Sequence, residues 1–132
     1  MIIRTALPGD IEAMHRIRLA VTENRLVRVI TRSDYLDAIG QNGCGWVAET
    51  DGNLQGFGIA KRSDWSIWAL FVDPACEHRG IGRALHAEMH AWLKMSGCTV
   101  AWLETEPGTR AEMFYRKAGW QFTHITPEDD AH

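Results

Sequence analysis

The chain is poor in the features that mark many specialised protein classes. It has only three cysteines, Cys44, Cys76 and Cys98, among 132 residues. They stand far apart, with no C-x-x-C pair and no Cys/His spacing typical of zinc, so they read as reduced thiols. No apolar run approaches the ~20 residues needed to cross a bilayer. The opening MIIRTALPGD lacks the apolar core of a secretory leader. Neither sign of charge dominates: 14 Lys and Arg against 17 Asp and Glu leave a net charge of -3. That is no general basic field for nucleic acid. Repeats, low-complexity tracts and linkers are absent. What remains is 45% apolar and 23% charged, the composition of a globular chain. At this mass a folded monomer exposes roughly 7,000 Å² against roughly 21,600 Å² unfolded, enough burial for one core. The expectation is a single domain over 1–132, cytoplasmic, with neither nucleic acid nor membrane as partner.

Strand and helix patterns alternate along the chain. Residues 2–5 form a short β candidate. Pro8-Gly9-Asp10 opens a helix that Asp10 can cap, with Ile11, Met14, Ile17 and Arg18 at helical spacing. Thr31 with Asp34 resembles a capping box for a second helix through Ile39, which Gly40, Asn42, Gly43 and Gly45 end. Residues 46–50 and 53–61 flank Asp51-Gly52, a strong two-residue hairpin signal. A third strand, 65–72, stops at Asp73-Pro74. A glycine-bearing turn at 77–82 leads into a long helix whose apolar face carries Ile81, Ala84, Leu85, Met89, Trp92 and Leu93. Further strands are expected at 100–105 and 120–125, with a helix from Thr109 to Ala118 ending at Gly119. The result is an α/β domain whose front half is mostly antiparallel.

The most informative stretch is WSIWALFVDPACEHRGIGRAL, residues 65–85. A strand runs into a turn at a helix N-terminus, and Gly80 and Gly82 remove the Cβ atoms that would obstruct a ligand. Backbone N–H groups there can receive phosphate oxygens, with Arg79 and Arg83 adding positive charge. The glycines alone are equally compatible with a turn that uses them for shape. The stretch is neither a Walker loop nor a Rossmann fingerprint.

VDPACEHRGIGRAL resembles motif A of the GNAT superfamily, the acyl-CoA-dependent N-acyltransferases. AEMFYRKAGW, residues 111–120, is similar to the family's A-x-x-F-Y-x-x-x-G-[FW] block, and Leu103-Glu104-Thr105 to the L-E-V that often ends its fifth strand. The resemblance implies a mostly antiparallel sheet flanked by helices, with central strands splayed apart and without a full seventh strand. It implies acetyl-CoA as acyl donor, its pyrophosphate on the N–H groups of His78, Arg79, Gly80, Ile81, Gly82 and Arg83. The pantetheine arm would lie along Leu70, Phe71 and Val72. Two departures stand out: Glu77 occupies the position of the usual Gln or Arg, and Gly108 or Thr109 that of an Asn. Glu77, a carboxylate beside a pyrophosphate, is expected to turn to solvent.

Acetyl transfer to an amine needs a neutral amine, a donor for the tetrahedral oxyanion and a proton for the leaving thiolate. The resemblance assigns the oxyanion to the Val72 N–H. It assigns the thiolate proton to Tyr115, which could otherwise be a core tyrosine beside Phe114. Glu104 could accept the amine proton directly or through water, or be an ordinary surface glutamate; Glu106 is a lesser alternative. Trp65 and Trp68 are placed by alternation on one face of their strand, away from Ile67, where they could line an acceptor cleft. Glu23 and Asn24, between the first two helices, could bind substrate or form a solvated loop. His86 and His90 stand at i and i+4 without a third ligand, so no metal is expected. The reading is direct transfer from acetyl-CoA to a small-molecule or peptide amine, with no acyl-cysteine step. Its rivals are a non-catalytic acyl-CoA-binding sensor or interaction module and a nucleotide-phosphate binder. An unpaired edge at 120–125, bearing Trp120, Phe122 and Ile125, would favour a homodimer.

Overall fold

Asp51 and Gly52 take φ values of 52° and 81°. That left-handed pair matches the right-handed twist of the strands it joins, β2 (Gly43–Thr50) and β3 (Asn53–Lys61). Strand β1 (Ile2–Thr5) pairs with β2, and β4 (Ser66–Val72) with β3, giving an antiparallel sheet in the order β1-β2-β3-β4. The computed structural model describes residues 1–21, 30–105 and 108–123, which fall into two compact units, Met1–Trp102 and Leu103–His132.

In the first unit, helices α1 (Ile11–Val21) and α2 (Arg32–Ile39) cover one face of the sheet. Ile11, Met14 and Ile17 of α1 and Tyr35 and Ala38 of α2 share a core with Val47, Phe57, Ile59 and Ala69. The other face takes α3 (Ile81–Met95), which buries Ile81, Leu85, Met89 and Leu93. The G-F-G alternation at 56–58 serves both faces. Phe57 points to α1 and α2, while Gly56 and Gly58 leave room for α3: a Cβ on Gly58 would stand 2.5 Å from Met89 Sδ.

Three expectations about these elements need correction. Gly43, Cys44 and Gly45 belong to β2 rather than to a helix-ending loop. The strand accepts Gly43 because a Cβ there would meet Ala60 O at 2.2 Å and Ala38 O at 2.5 Å. Asp10 does not cap α1. It sits in a 3₁₀ turn, Pro8–Asp10, where its carboxylate accepts the Leu7 N–H at 2.8 Å and both Arg4 Nη1 and Nη2 at 2.9 Å. Arg4 Nε also reaches Glu49 at 2.6 Å, so one guanidinium ties β1, the turn and β2. Residues 100–105 form no continuous strand. They contribute one parallel bridge, Trp102 to Ser66. Thr31 and Asp34 form the reciprocal capping box expected of them.

The second unit contains α4 (Arg110–Lys117), with Thr109 Oγ1 accepting the Glu112 N–H at its N-terminus. Residues 120–123 are not in a strand, contrary to expectation; Trp120 packs on Tyr115 at 5.8 Å between centroids. Ile125 lies outside the described residues. The expected strand edge is therefore not seen at 120–123.

Arg4 holds the Asp10 carboxyl below its ordinary value, chiefly through the side-chain hydrogen bonds. A depressed carboxylate stabilises the fold above its unfolded-state pKa, and that contribution disappears as pH falls through the folded-state value. Asp10→Asn should therefore cost about 1 kcal/mol at pH 7. Urea titrations at descending pH should show this difference shrinking below the ordinary value of 3.8. A difference that does not change with pH would show that Asp10 acts through shape rather than charge.

Candidate functional site

A one-residue irregularity in β4 sets the geometry of the site. Ile59 pairs with Ala69 and Ala60 with Ile67, leaving Trp68 as an extra residue. Such a bulge breaks the two-residue alternation. Trp68, Ala69 and Phe71 all reach the core beneath α1 and α2. The expectation that Trp65 and Trp68 share a face by alternation is incorrect. A spacing of three would oppose them, and Trp65 precedes the strand with φ 58°.

The outer edge of β4 is clasped at its beginning. The Ile67 N–H donates to Trp102 O at 3.0 Å, and the Trp102 N–H donates to Trp65 O at 3.1 Å. The indole Nε1–H of Trp102 donates to Asp64 O at 2.8 Å, and Ser66 Oγ bonds Asp64 Oδ1 at 2.6 Å. Beyond this bridge no described strand pairs with that edge of β4. Leu70, Phe71 and Val72 follow there, all half-buried.

At the end of β4 the Asp73 N–H donates to Gln55 O at 2.8 Å, while the Asp73 carboxylate accepts the Ala75 N–H at 3.0 Å and shapes the 3₁₀ turn Pro74–Cys76. His78 and Gly80 then take φ values of 64° and 78°, turning the chain into α3. The Gly80 carbonyl accepts the first bond of the helix, from the Ala84 N–H at 3.0 Å. A Cβ on Gly80 would enter open space. His78, Arg79, Gly80 and Arg83 are exposed, Gly82 is half-buried, and Ile81 is buried beneath the turn. The first N–H groups of α3 have no carbonyl one turn earlier to receive them. The turn therefore supplies what a phosphate needs: N–H donors, the positive helix end, clearance and two arginines. Glu77 does not turn wholly to solvent. It is half-buried with its carboxylate 3.8 Å from His78 Nε2.

Gly56 locates this turn against the sheet. It pairs with Val72, and a Cβ on it would meet both Phe71 O and Ile81 Cγ2 at 3.0 Å. One missing side chain thus sets the spacing between the end of β4 and the first residue of α3.

In the second unit Tyr115 is 8% exposed, edge-on to Phe114 and Trp120 at centroid distances of 5.3 and 5.8 Å. Burial pushes its phenol above the ordinary value of 10.0, so it stays protonated at neutral pH. Glu104 is exposed. Glu23, Asn24 and Glu106 lie outside the described residues.

His86 and His90 stack at 6.3 Å on α3, and burial lowers the His86 pKa, helped by the His90 charge. Among the described residues no group of three or more His, Cys, Asp or Glu gathers to hold a metal. Sequence reasoning missed a group at the other face of β4, comprising His15, Tyr35 and Lys61 with Arg18 and Trp68. Its signals were Trp68, already a candidate for the acceptor cleft, and a cation, Arg18, at helical spacing with the apolar residues of α1.

The family described as "Acetyltransferase (GNAT) domain" matches residues 41–122. Among solved structures, a point mutant of the BH1408 protein from Bacillus halodurans is similar with a TM-score of 0.83 and 20% identity. That match covers 97% of this chain and 98% of the other. The aminoglycoside N-acetyltransferase AAC(6')-Iy in complex with CoA gives a TM-score of 0.73 at 21% identity, with 96% of each chain covered. The aminoglycoside 6'-N-acetyltransferase AAC(6')-IG from Acinetobacter haemolyticus gives 0.73 at 17%, covering 96% and 95%. At such identities these likenesses establish a shared fold. No curated protein sequence matches the chain.

The clearance at Gly56 is testable without any ligand. Gly56→Val should destabilise the protein by about 1–3 kcal/mol, as overpacking does. Gly9→Ala, where an added Cβ meets nothing within 4 Å, should be nearly neutral. Chemical denaturation of both variants checks this. Equal stability of Gly56→Val and wild type would show that α3 is free to shift away from β3.

Proposed function

Because the chain belongs to the GNAT acetyltransferase family, we propose that it is an N-acetyltransferase that moves an acetyl group from acetyl-CoA to the amine of a small molecule by direct attack. The observation that carries this reading is the succession of an open strand edge, a left-handed turn and a free helix N-terminus at 70–83. That succession suits a donor with a peptide-like arm and a pyrophosphate. In this reading the N–H groups from His78 to Arg83 receive the pyrophosphate, Arg79 and Arg83 pair with phosphate oxygens, and the edge at Leu70, Phe71 and Val72 bonds the pantetheine amides. Acetyl-CoA supplies the thioester.

The remaining roles fall to this chain's own groups. The neutral amine attacks the thioester carbonyl, forming the C–N bond. The carbonyl electron pair moves to oxygen, and the Val72 N–H stabilises the resulting oxyanion. When the C–S bond breaks, Tyr115 gives its proton to the thiolate; burial keeps the phenol protonated until then but also makes it a weaker acid. Glu104 accepts the amine proton, directly or through water. Trp68, Glu23 and Asn24 are proposed to face the acceptor.

Release of CoA thiol on mixing with acetyl-CoA and a panel of amines tests the activity. Acetyl-CoA should also raise Tm. Gly82→Val should abolish that rise, because the side chain would stand where the pyrophosphate approaches. Gly82 is helical without a positive φ, so valine adds no backbone strain there. An undiminished rise in the folded variant would remove the phosphate cradle from the reading.

Tyr115→Phe should lower kcat by ~10²-fold or more, with acetyl-CoA affinity little changed, because only the leaving-group proton is lost. Single-turnover kinetics check this. Unchanged turnover where chemistry limits the rate would exclude Tyr115 as the acid.

A further inference from the structure

Trp68 is surrounded by positive charge. The Arg18 guanidinium lies 5.0 Å from its ring centroid, and the Lys61 ammonium 5.1 Å. Arg18 also lies 5.1 Å over Phe71 and 6.0 Å over Tyr35. Tyr35, 1% exposed, meets the Trp68 ring edge-on at 5.6 Å, and its hydroxyl stands 3.0 Å from His15 Nδ1. The bulge is what turns Trp68 into this group, and Lys61 comes from the residue of β3 paired with Ser66.

Lys61 is the informative member. It is half-buried, and among the described residues its ammonium meets the Trp68 face and no carboxylate. An aromatic face offsets part of the lost hydration of a cation without neutralising it. A half-buried ammonium and a guanidinium that share the Trp68 ring both gain when an anion pairs with them. Phe71 carries the group to within one residue of Val72.

We propose that Lys61 and Arg18, held on Trp68, recognise a carboxylate on the acceptor, so that the substrate is a small amine bearing an acidic group. The inference rests on the acetyl-transfer reading. In it, the amine lies at the end of β4 by Val72, and the carboxylate lies back along the strand at Trp68.

The test compares ω-amino acids of increasing length with their primary amides. The series starts where the chain is long enough that amidation leaves the amine pKa nearly constant, so charge recognition is isolated. Two readouts are used: initial rates of CoA release from acetyl-CoA, and equilibrium dialysis of each acid and amide against the CoA-loaded protein. For the length that fits, wild type should favour the acid by about 10-fold or more in kcat/KM and in affinity. Lys61→Gln should bring the ratio close to one, and Lys61→Glu should reverse it, with the Tm rise given by acetyl-CoA unchanged in both. Equal use and equal binding of acid and amide by wild type would overturn the proposal. So would an acid preference that survives Lys61→Gln. If no amine releases CoA, the transferase reading fails, and dialysis still decides the anion site. Tighter acid than amide binding that depends on Lys61 supports it, and no preference overturns it.

Discussion

The turn between β4 and α3 depends on the absence of a side chain at Gly56. Residue 56 sits directly opposite Val72, where β4 ends, and beneath Ile81, where α3 begins. Packed interiors transmit even single-methyl changes. The separation between strand end and helix start is therefore fixed by van der Waals contact rather than by a hydrogen bond. Gly58, two residues further on, extends the same clearance to Met89. The helix is drawn onto the sheet along its buried stripe, and its unsatisfied N–H groups stand at a constant distance from the end of β4. The Asp73 N–H bond to Gln55 holds the connecting turn from the β3 side.

The bulge at Trp68 explains how one strand serves two surfaces. With strict alternation, Trp68 and Phe71 would point to opposite faces. The extra residue brings both beneath α1 and α2, while Leu70 and Val72 pair with Gly58 and Gly56 on the α3 side. Among the described residues the strand's own outer edge is closed only at its start, by the Trp102 clasp. A single seven-residue strand thus presents a backbone edge, a helix-facing aromatic wall and a terminus leading into the turn before α3.

Much of this architecture is legible in the sequence because it rests on local signals. Asp51-Gly52 specifies the hairpin through its left-handed φ angles, Thr31 and Asp34 specify a helix start through reciprocal bonds, and the period of Ile81, Leu85, Met89 and Leu93 gives the face of α3. The turn at 77–82 is legible because its glycines stand inside VDPACEHRGIGRAL, a run that resembles a family motif; the glycines alone are equally compatible with a role in shape. What escaped depends on partners distant in sequence. Gly43 is a strand residue because of Ala38 and Ala60, which no local pattern reveals. Asp10 looks like a cap until Arg4 is seen beside it. Trp102 meets β4 at one point only, so a strand-like sequence at 100–105 gives a bridge. The direction of Trp68 depends on a one-residue slip against β3, and a period-two argument has no means of detecting it.

This division follows from the chemistry of recognition. A pyrophosphate and a peptide-like arm are held mainly by N–H and C=O groups, which every residue carries. The chain needs only the right φ angles and clearance, and these leave a glycine signature. Glu77 is half-buried in this turn, with its carboxylate 3.8 Å from His78 Nε2. An acceptor must instead be distinguished from other amines, which requires side-chain charge and shape. The side chains proposed for that task come from α1, α2, β3 and β4, joined only by tertiary structure. The net charge of the chain is negative, yet the wall at Trp68 carries two cations. Local arrangement, rather than overall composition, therefore sets the sign of the group that this surface can hold.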